Sequence, residues 1–289
     1  MGIRDSPTSR AHPGRLGRMT DLILTGASRG IGHALALALA PIQNQRLLLV
    51  ARDAGRLQAL AADVERLGGH ALAVSGDLGT VEGARKLGER LAELVTPGAT
   101  LVHNAGLWPS ERVLNADGLE TSFVTNHLGP LVMQRSLLEA GRLRRILVVS
   151  GGLLVMGRFD AARTPTGEDF SGLRTYCNTK LCFALAMRDV AAAHPEVDVV
   201  VLHPGVVRTD LAARPGLVGW LLSQVKRAWE RPEVCAARLV RILQRERWSP
   251  PGDARWLMEE AERPWPAVTE NAATRQALRD TTARLLAAR

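Results

Sequence analysis

The sequence predicts an α/β fold: a single doubly wound parallel sheet with helices on both faces. Three observations carry this. Short, nearly continuous Val/Leu runs recur along the chain, the pattern of strands buried on both sides. Between them lie amphipathic segments with apolar residues three and four apart. The first strand runs into a helix through a glycine-rich turn.

In order, "DLILT" from Asp21 is the first strand, followed by the turn and the Ala/Leu helix "GHALALALA". "RLLLV" is the second strand, and Asp53 to Leu67 carries a helical spacing of apolar residues. "ALAVS" is the third strand, and "VEGARKLGERLAELV" is a helix that Pro97 stops. "TLVHNAG" forms the fourth strand, a long helix covers roughly 117–140, and "RRILVVS" is the fifth strand. An irregular stretch leads to the helix carrying Tyr176 and Lys180, then to the sixth strand "VDVVVLHPG". The Pro-rich "WSPPGD" and "RPWPAV" predict a tail, 247–289, that wraps the core in extended form before a last helix at about 270–288.

Composition narrows the function. A hydrophobic content of 46% is ample for a core, yet no apolar run approaches the roughly 20 residues that span a bilayer. The net charge of +8 comes from 37 basic residues, of which only Lys86, Lys180 and Lys226 are lysines. The arginines are scattered and aromatics make up 4%, which argues against a nucleic-acid stripe. Cys177, Cys182 and Cys235 form no CxxC pair, so a reduced, cytoplasmic setting is expected, and no ligand spacing suggests a metal. Residues 1–18, rich in Arg, Gly, Pro and Ser, read as a disordered basic arm; their four Arg and single acid also suit a transit peptide. Residues 19–289 read as one domain.

Two motifs carry chemistry. The turn "TGASRGIG" places Gly26, Gly30 and Gly32 where a backbone must approach a pyrophosphate, with Ser28, Arg29 and Ile31 around the helix start. "TYCNTK" holds the only tyrosine of the chain, Tyr176, and four residues on the scarce Lys180. Positions i and i+4 share a helix face, so both side chains point into one site. A nearby ammonium, together with the positive charge of a bound oxidised cofactor, would favour phenolate and lower the phenol from its ordinary value near 10, so that it acts as general acid or base.

From about Asp21 to Leu243 the sequence resembles the short-chain dehydrogenase/reductase family, whose fold is the Rossmann sheet. The resemblance rests on "TGASRGIG", "GDL" at 76–78, "HNAG" at 103–106, Asn126 in "TNHLG", "YCNTK" at 176–180 and "HPGVVRT" at 203–209. It implies hydride transfer between nicotinamide and a substrate carbon, with Tyr176 exchanging the proton and Lys180 binding the nicotinamide ribose. Asn126 would hold a relay water. Asp77 and Leu78 would flank the adenine, and Asn104, Ala105 and Gly106 the cofactor's back wall. Pro204, Gly205, Val207 and Thr209 would lie along the nicotinamide, the last two at its carboxamide. Where NAD users carry an acid, this chain has Ala51 followed by Arg52. With Arg29 this makes two guanidinium groups for a 2′-phosphate and predicts NADP(H), although Asp53 in another register would be a ribose-binding acid. His103, His127 and His203 are expected to be structural or to stand behind the site. Family members commonly form homodimers or homotetramers through their long helices, and the same is expected here.

One position departs from the pattern. The usual catalytic serine follows strand five, where this chain reads "ILVVSGG"; Ser150 aligns with the preceding serine and Gly151 with the catalytic one. The 25-residue interval from Gly151 to Tyr176 resembles the retinol-dehydrogenase-like branch, and residues 151–159 contain no Ser or Thr. Losing an oxyanion donor costs about 10²–10³ in rate in other enzymes. Ser150 would have to substitute, Tyr176 to suffice alone, or the natural reaction to be something else; Thr164, Thr166 and Ser171 are more distant substitutes. The leading expectation is an oxidoreductase for a hydrophobic ketone, aldehyde or alcohol. The alternative is a cofactor-binding protein with little turnover. A greasy segment at about 210–230, with Trp220 and Trp229, reads either as a substrate lid or as an amphipathic helix packed on the body.

Overall fold

The computed structural model describes residues 19–207 and 229–288. The proposed arm, Thr209 and nearly all of the proposed lid lie outside these residues. Eight strands form one sheet in the order β3-β2-β1-β4-β5-β6-β7-β8, parallel throughout except for β8. The six anticipated strands are β1 (Thr20–Thr25), β2 (Gln45–Ala51), β3 (His70–Ser75), β4 (Ala99–His103), β5 (Leu143–Val149) and β6 (Asp198–His203). Their order reverses between β1 and β4, where carboxyl ends diverge and open a crevice for a ligand.

Side chains alternate along each strand, and both faces of the sheet's central strands are buried. Ile23 joins a core shared with Leu91 of α3 (Val81–Leu94), Phe123, and Met133 of α5 (Gly129–Glu139). Its neighbours Leu22 and Leu24 join the opposite core, with Leu35 of α1 (Gly30–Leu39) and Leu57 of α2 (Ala54–Arg66).

The long helix starts at α4 (Thr121–Phe123), later than the anticipated 117, because Glu120 caps it: its carboxylate accepts the Phe123 N–H at 2.7 Å. It then widens into a π turn over Val124–Leu128 before α5. Pro130 explains the widening, since it has no N–H to give the carbonyl four residues back, that of Asn126. Asn126 is thus set in a distorted turn facing α6 (Gly172–Ala193). Thirteen consecutive residues of α6, Thr175–Met187, are buried.

The chain beyond residue 231 is more regular than the sequence suggested. α7 (Pro232–Leu243) packs beside α1, and the expected extended stretch is strand β7 (Ala254–Met258), parallel to β6. A tight turn returns β8 (Ala261–Arg263) antiparallel to it. The last helix, α8 (Ala272–Ala287), lies on α6; Leu278 is buried and Arg275 and Arg279 both pair with Asp189.

Candidate active site

A cavity of about 1050 Å³ opens along the carboxyl ends of the parallel strands. At one side the chain leaves β1 and turns through Gly26 and Ser28 into α1. Gly26 has φ +67°, and a Cβ there would stand 2.8 Å from the Ala105 Cα. A Cβ at Gly32 would lie 2.4 Å from the Gly26 carbonyl. Gly32 therefore packs behind the turn and does not line the cavity, whereas Gly26, Ser28, Arg29, Gly30 and Ile31 do. Thr25 and Asn104 lace this turn to the end of β4. The Thr25 hydroxyl accepts the N–H groups of Asn104 and Ala105 at 3.0 and 3.1 Å, and the Asn104 amide donates to the carbonyls of Thr25 and Gly26, each at 3.1 Å. The result is a bare backbone cradle at a helix N-terminus, which fits a pyrophosphate.

Next to it, Arg29 and Arg52 line the cavity together with Arg56. Asp53, the rival ribose acid, caps α2: one carboxylate oxygen accepts the Arg56 N–H at 3.0 Å and the other pairs with its guanidinium at 3.2 Å. Asp77 and Leu78 line the same end. Asp77 accepts the Gly79 N–H at 3.0 Å within the turn, while Thr80 caps α3.

At the other end stand Tyr176 and Lys180, one turn apart on α6 as their spacing requires. Both are buried; Lys180 Nζ donates to the Val149 carbonyl at 3.2 Å and stands 5.8 Å from the centre of the phenol ring. In the protein alone, burial works against the lowering expected from charge. Burial pushes the Tyr176 phenol up to about 12. It also lowers the Lys180 ammonium to about 8. Loss of hydration disfavours both charged forms.

Asn126 does not line the cavity but holds its wall. Its Oδ1 accepts the Leu107 N–H at 2.7 Å, and its Nδ2 donates to the Leu107 carbonyl at 2.8 Å and to Thr179 Oγ1 at 3.0 Å. Ala105 and Gly106 line the cavity beside it, as do Ser150, Pro204, Gly205 and Val207. Arg238 fixes the Pro204–Gly205 turn by donating to the Pro204 carbonyl at 2.8 Å and to Glu230 at 2.7 Å. Val207 and Glu230 bridge, so the described ends on either side of 208–228 stand together, and Trp229 reaches the cavity.

The sequence matches the family model for short chain dehydrogenase over residues 21–216. The chain belongs to the short-chain dehydrogenase family. It is 33% identical over 216 residues, 71% of this chain and 72% of the other, to a Streptomyces sp. (strain C5) protein named as a proposed daunorubicin C-13 ketoreductase. It is 31% identical to retinol dehydrogenase 13 of Homo sapiens, over 74% of this chain and 65% of that one. This second likeness places it with the retinol-dehydrogenase-like branch. Among solved structures, an alcohol dehydrogenase from Thermococcus sibiricus complexed with 5-hydroxy-NADP aligns with a TM-score of 0.63 at 25% identity, over 86% of this chain and 100% of that one.

Within this short-chain dehydrogenase the serine position is open. Gly151 lines the cavity, and none of the distant substitutes does: Thr164 is tied to Asp169 at 2.9 Å, Thr166 to the Arg163 carbonyl at 3.3 Å, and Ser171 precedes α6. His203, expected to stand behind the site, lines the cavity and accepts the Gly152 N–H on Nδ1 at 3.1 Å. His103 is buried against Gln134 at 2.8 Å, and His127 is buried beneath α8.

Sequence reasoning missed Arg56 and Trp108. Arg56 could have been found one helical turn into the segment that Asp53 opens. Trp108 stacks on Tyr176 with ring centres 4.4 Å apart and planes 8° from parallel. Its signal was an aromatic two residues beyond "HNAG" in a chain with few aromatics.

Proposed function

We propose that the protein is an NADP(H)-dependent oxidoreductase that moves a hydride between nicotinamide and a hydrophobic ketone, aldehyde or alcohol. The observation that carries this is one cavity holding the glycine cradle, three arginines and the Tyr176–Lys180 pair. The nicotinamide, when bound, gives or takes the hydride. Tyr176 Oη gives the proton to the developing alkoxide in reduction and takes it back in oxidation. Its raised pKa suits the acid role, because the phenol stays protonated at neutral pH.

Lys180 orients the ribose and lends positive charge that steadies tyrosinate once the proton has left. Asn126 keeps the loop at Leu107 against α6, and its Oδ1 has capacity left to accept from a relay water. Ser150 lines the cavity and is the residue assigned to a second hydrogen bond to the substrate oxygen. Arg29, Arg52 and Arg56 suit a 2′-phosphate; Asp53 also lines the cavity, but it caps α2 and pairs with Arg56. Leu107, Leu153, Val206 and Trp229 make the substrate end apolar.

The test is turnover of a panel of apolar ketones and aldehydes with NADPH, read as loss of the reduced cofactor's absorbance. We expect turnover that Tyr176→Phe abolishes while NADPH binding persists. Tight NADPH binding with no turnover of any substrate would instead favour a cofactor-binding role without redox chemistry, the reading that Gly151 supports.

A further inference from the structure

The glycine that breaks the family pattern is also where the backbone meets the catalytic phenol. Gly151 has φ −158° and ψ 144°, an extended conformation open to any residue, so backbone strain does not call for glycine here. Space does. A Cβ at 151 would stand 2.9 Å from Tyr176 Oη, closer than a Cβ normally packs, with Cζ at an ordinary 3.7 Å. The Trp108 indole lies flat on one face of the ring, with centres 4.4 Å apart, and closes movement of the phenol towards that side. The phenol is therefore held by an aromatic plate on its face and a bare backbone at its tip. The indole Nε1 is buried and has no hydrogen-bond partner among the described residues, so packing and not a polar tether keeps the plate in place.

We propose that Trp108 is the residue that positions Tyr176, and that Trp108 and Gly151 act as a pair in which the indole presses the hydroxyl into the space a side chain at 151 would fill. The inference rests on Tyr176 being the proton-exchanging group. It means that the missing serine is not a simple loss: the tip of the phenol stands tightly against the position. The contact is made by the ring face, so phenylalanine can replace the tryptophan and alanine cannot. Restoring the serine alone displaces the phenol and harms the enzyme. Removing the indole as well gives the ring room to move aside.

Tyr176 is the only tyrosine, so phenolate absorbance reads this one hydroxyl without any substrate. The ionisable groups facing it are Lys180 and Cys177 on its own helix, and His203 lines the same cavity from β6; Trp108 and Gly151 are uncharged. An ordinary phenol is largely ionised at about pH 11. The native chain and Trp108→Phe are expected to show little phenolate there, and Trp108→Ala a clear rise. In turnover with NADPH, Trp108→Ala should lower kcat by about tenfold or more with KM for NADPH little changed, as for a misplaced catalytic group. Gly151→Ser should cost a similar factor alone and markedly less on top of Trp108→Ala, because contacting residues do not add. Far-ultraviolet circular dichroism confirms that each variant is folded, and Trp108→Leu replaces the alanine variant should that one fail to fold. A phenolate signal unchanged in Trp108→Ala, or factors that multiply in the double variant, would overturn the pairing. If no carbonyl is turned over even by the native chain, the redox reading fails while the absorbance titration still decides the clamp.

Discussion

At the scale of single residues, burial sets the ionisation of the Tyr176–Lys180 pair. Tyr176 and Lys180 were legible from spacing alone, as was almost every residue of the cradle, because glycine turns and i, i+4 pairs state their geometry locally. The direction of the Tyr176 pKa was not, since it depends on how much protein covers the ring, and that cover comes from the distant loop at Trp108. Arg56 was hidden for a similar reason: nothing in a helix's first turn says that the turn faces a cavity. The arginines give a direct test of cofactor choice. Charge-assisted hydrogen bonds contribute about 1.5–3 kcal/mol each, so Arg52→Ala should weaken NADPH binding by roughly 10- to 100-fold and leave NADH binding nearly unchanged, as read by cofactor fluorescence titration. Equal losses for both cofactors would remove the 2′-phosphate assignment.

At the scale of elements, two histidines make the folded state sensitive to acid. Burial lowers His103 on β4 to about 4 and His127 in the π turn to about 3. In the unfolded chain both take up protons near 6.5. As pH falls from 6.5 towards 4 the unfolded state therefore binds protons that the folded state refuses, and stability drops by about 1.4 kcal/mol per pH unit for each histidine. Buried Glu120, whose pKa is raised, works the other way above 4.5 and softens the fall. Denaturant midpoints at about pH 7 and pH 5 should show the loss, and His127→Leu should flatten it by close to half; a flat profile in the native chain would refute the account. β1, β2, β4, β5 and β6 were readable because each is an apolar run buried on both faces, and the edge strand β3, where only Val74 is buried, by its alternating Ala/Leu/Val pattern. β7 and α7 were not, for "ARWLM" carries an arginine and sits among prolines, and only its partner β6 makes it a strand.

At the scale of the whole molecule, the tail completes the body. Leu278 is buried in the α3–α5–α6 core, Trp265 donates to the Ala254 carbonyl at 2.9 Å, and Arg188 pairs with Glu270 at 3.0 Å. The face of α6 that α8 covers is not available for pairing with another copy, so self-association of the intact chain has to use other surfaces. Leu278→Ala should cost about 2–4 kcal/mol in denaturant unfolding. A chain ending at Arg263 should melt lower and associate with rising concentration by light scattering; an unchanged melting temperature and size would show that α8 is dispensable. The strand order has a further consequence for birth of the protein. Sequence order and sheet order agree from β4 to β8, so synthesis lays down β6 before the strand that shields its outer edge. Until Ala254–Met258 emerges, the apolar ribbon "DVVVLH" offers bare amides and carbonyls to any passing polypeptide. Nascent chains stalled in that interval are the ones that need a chaperone.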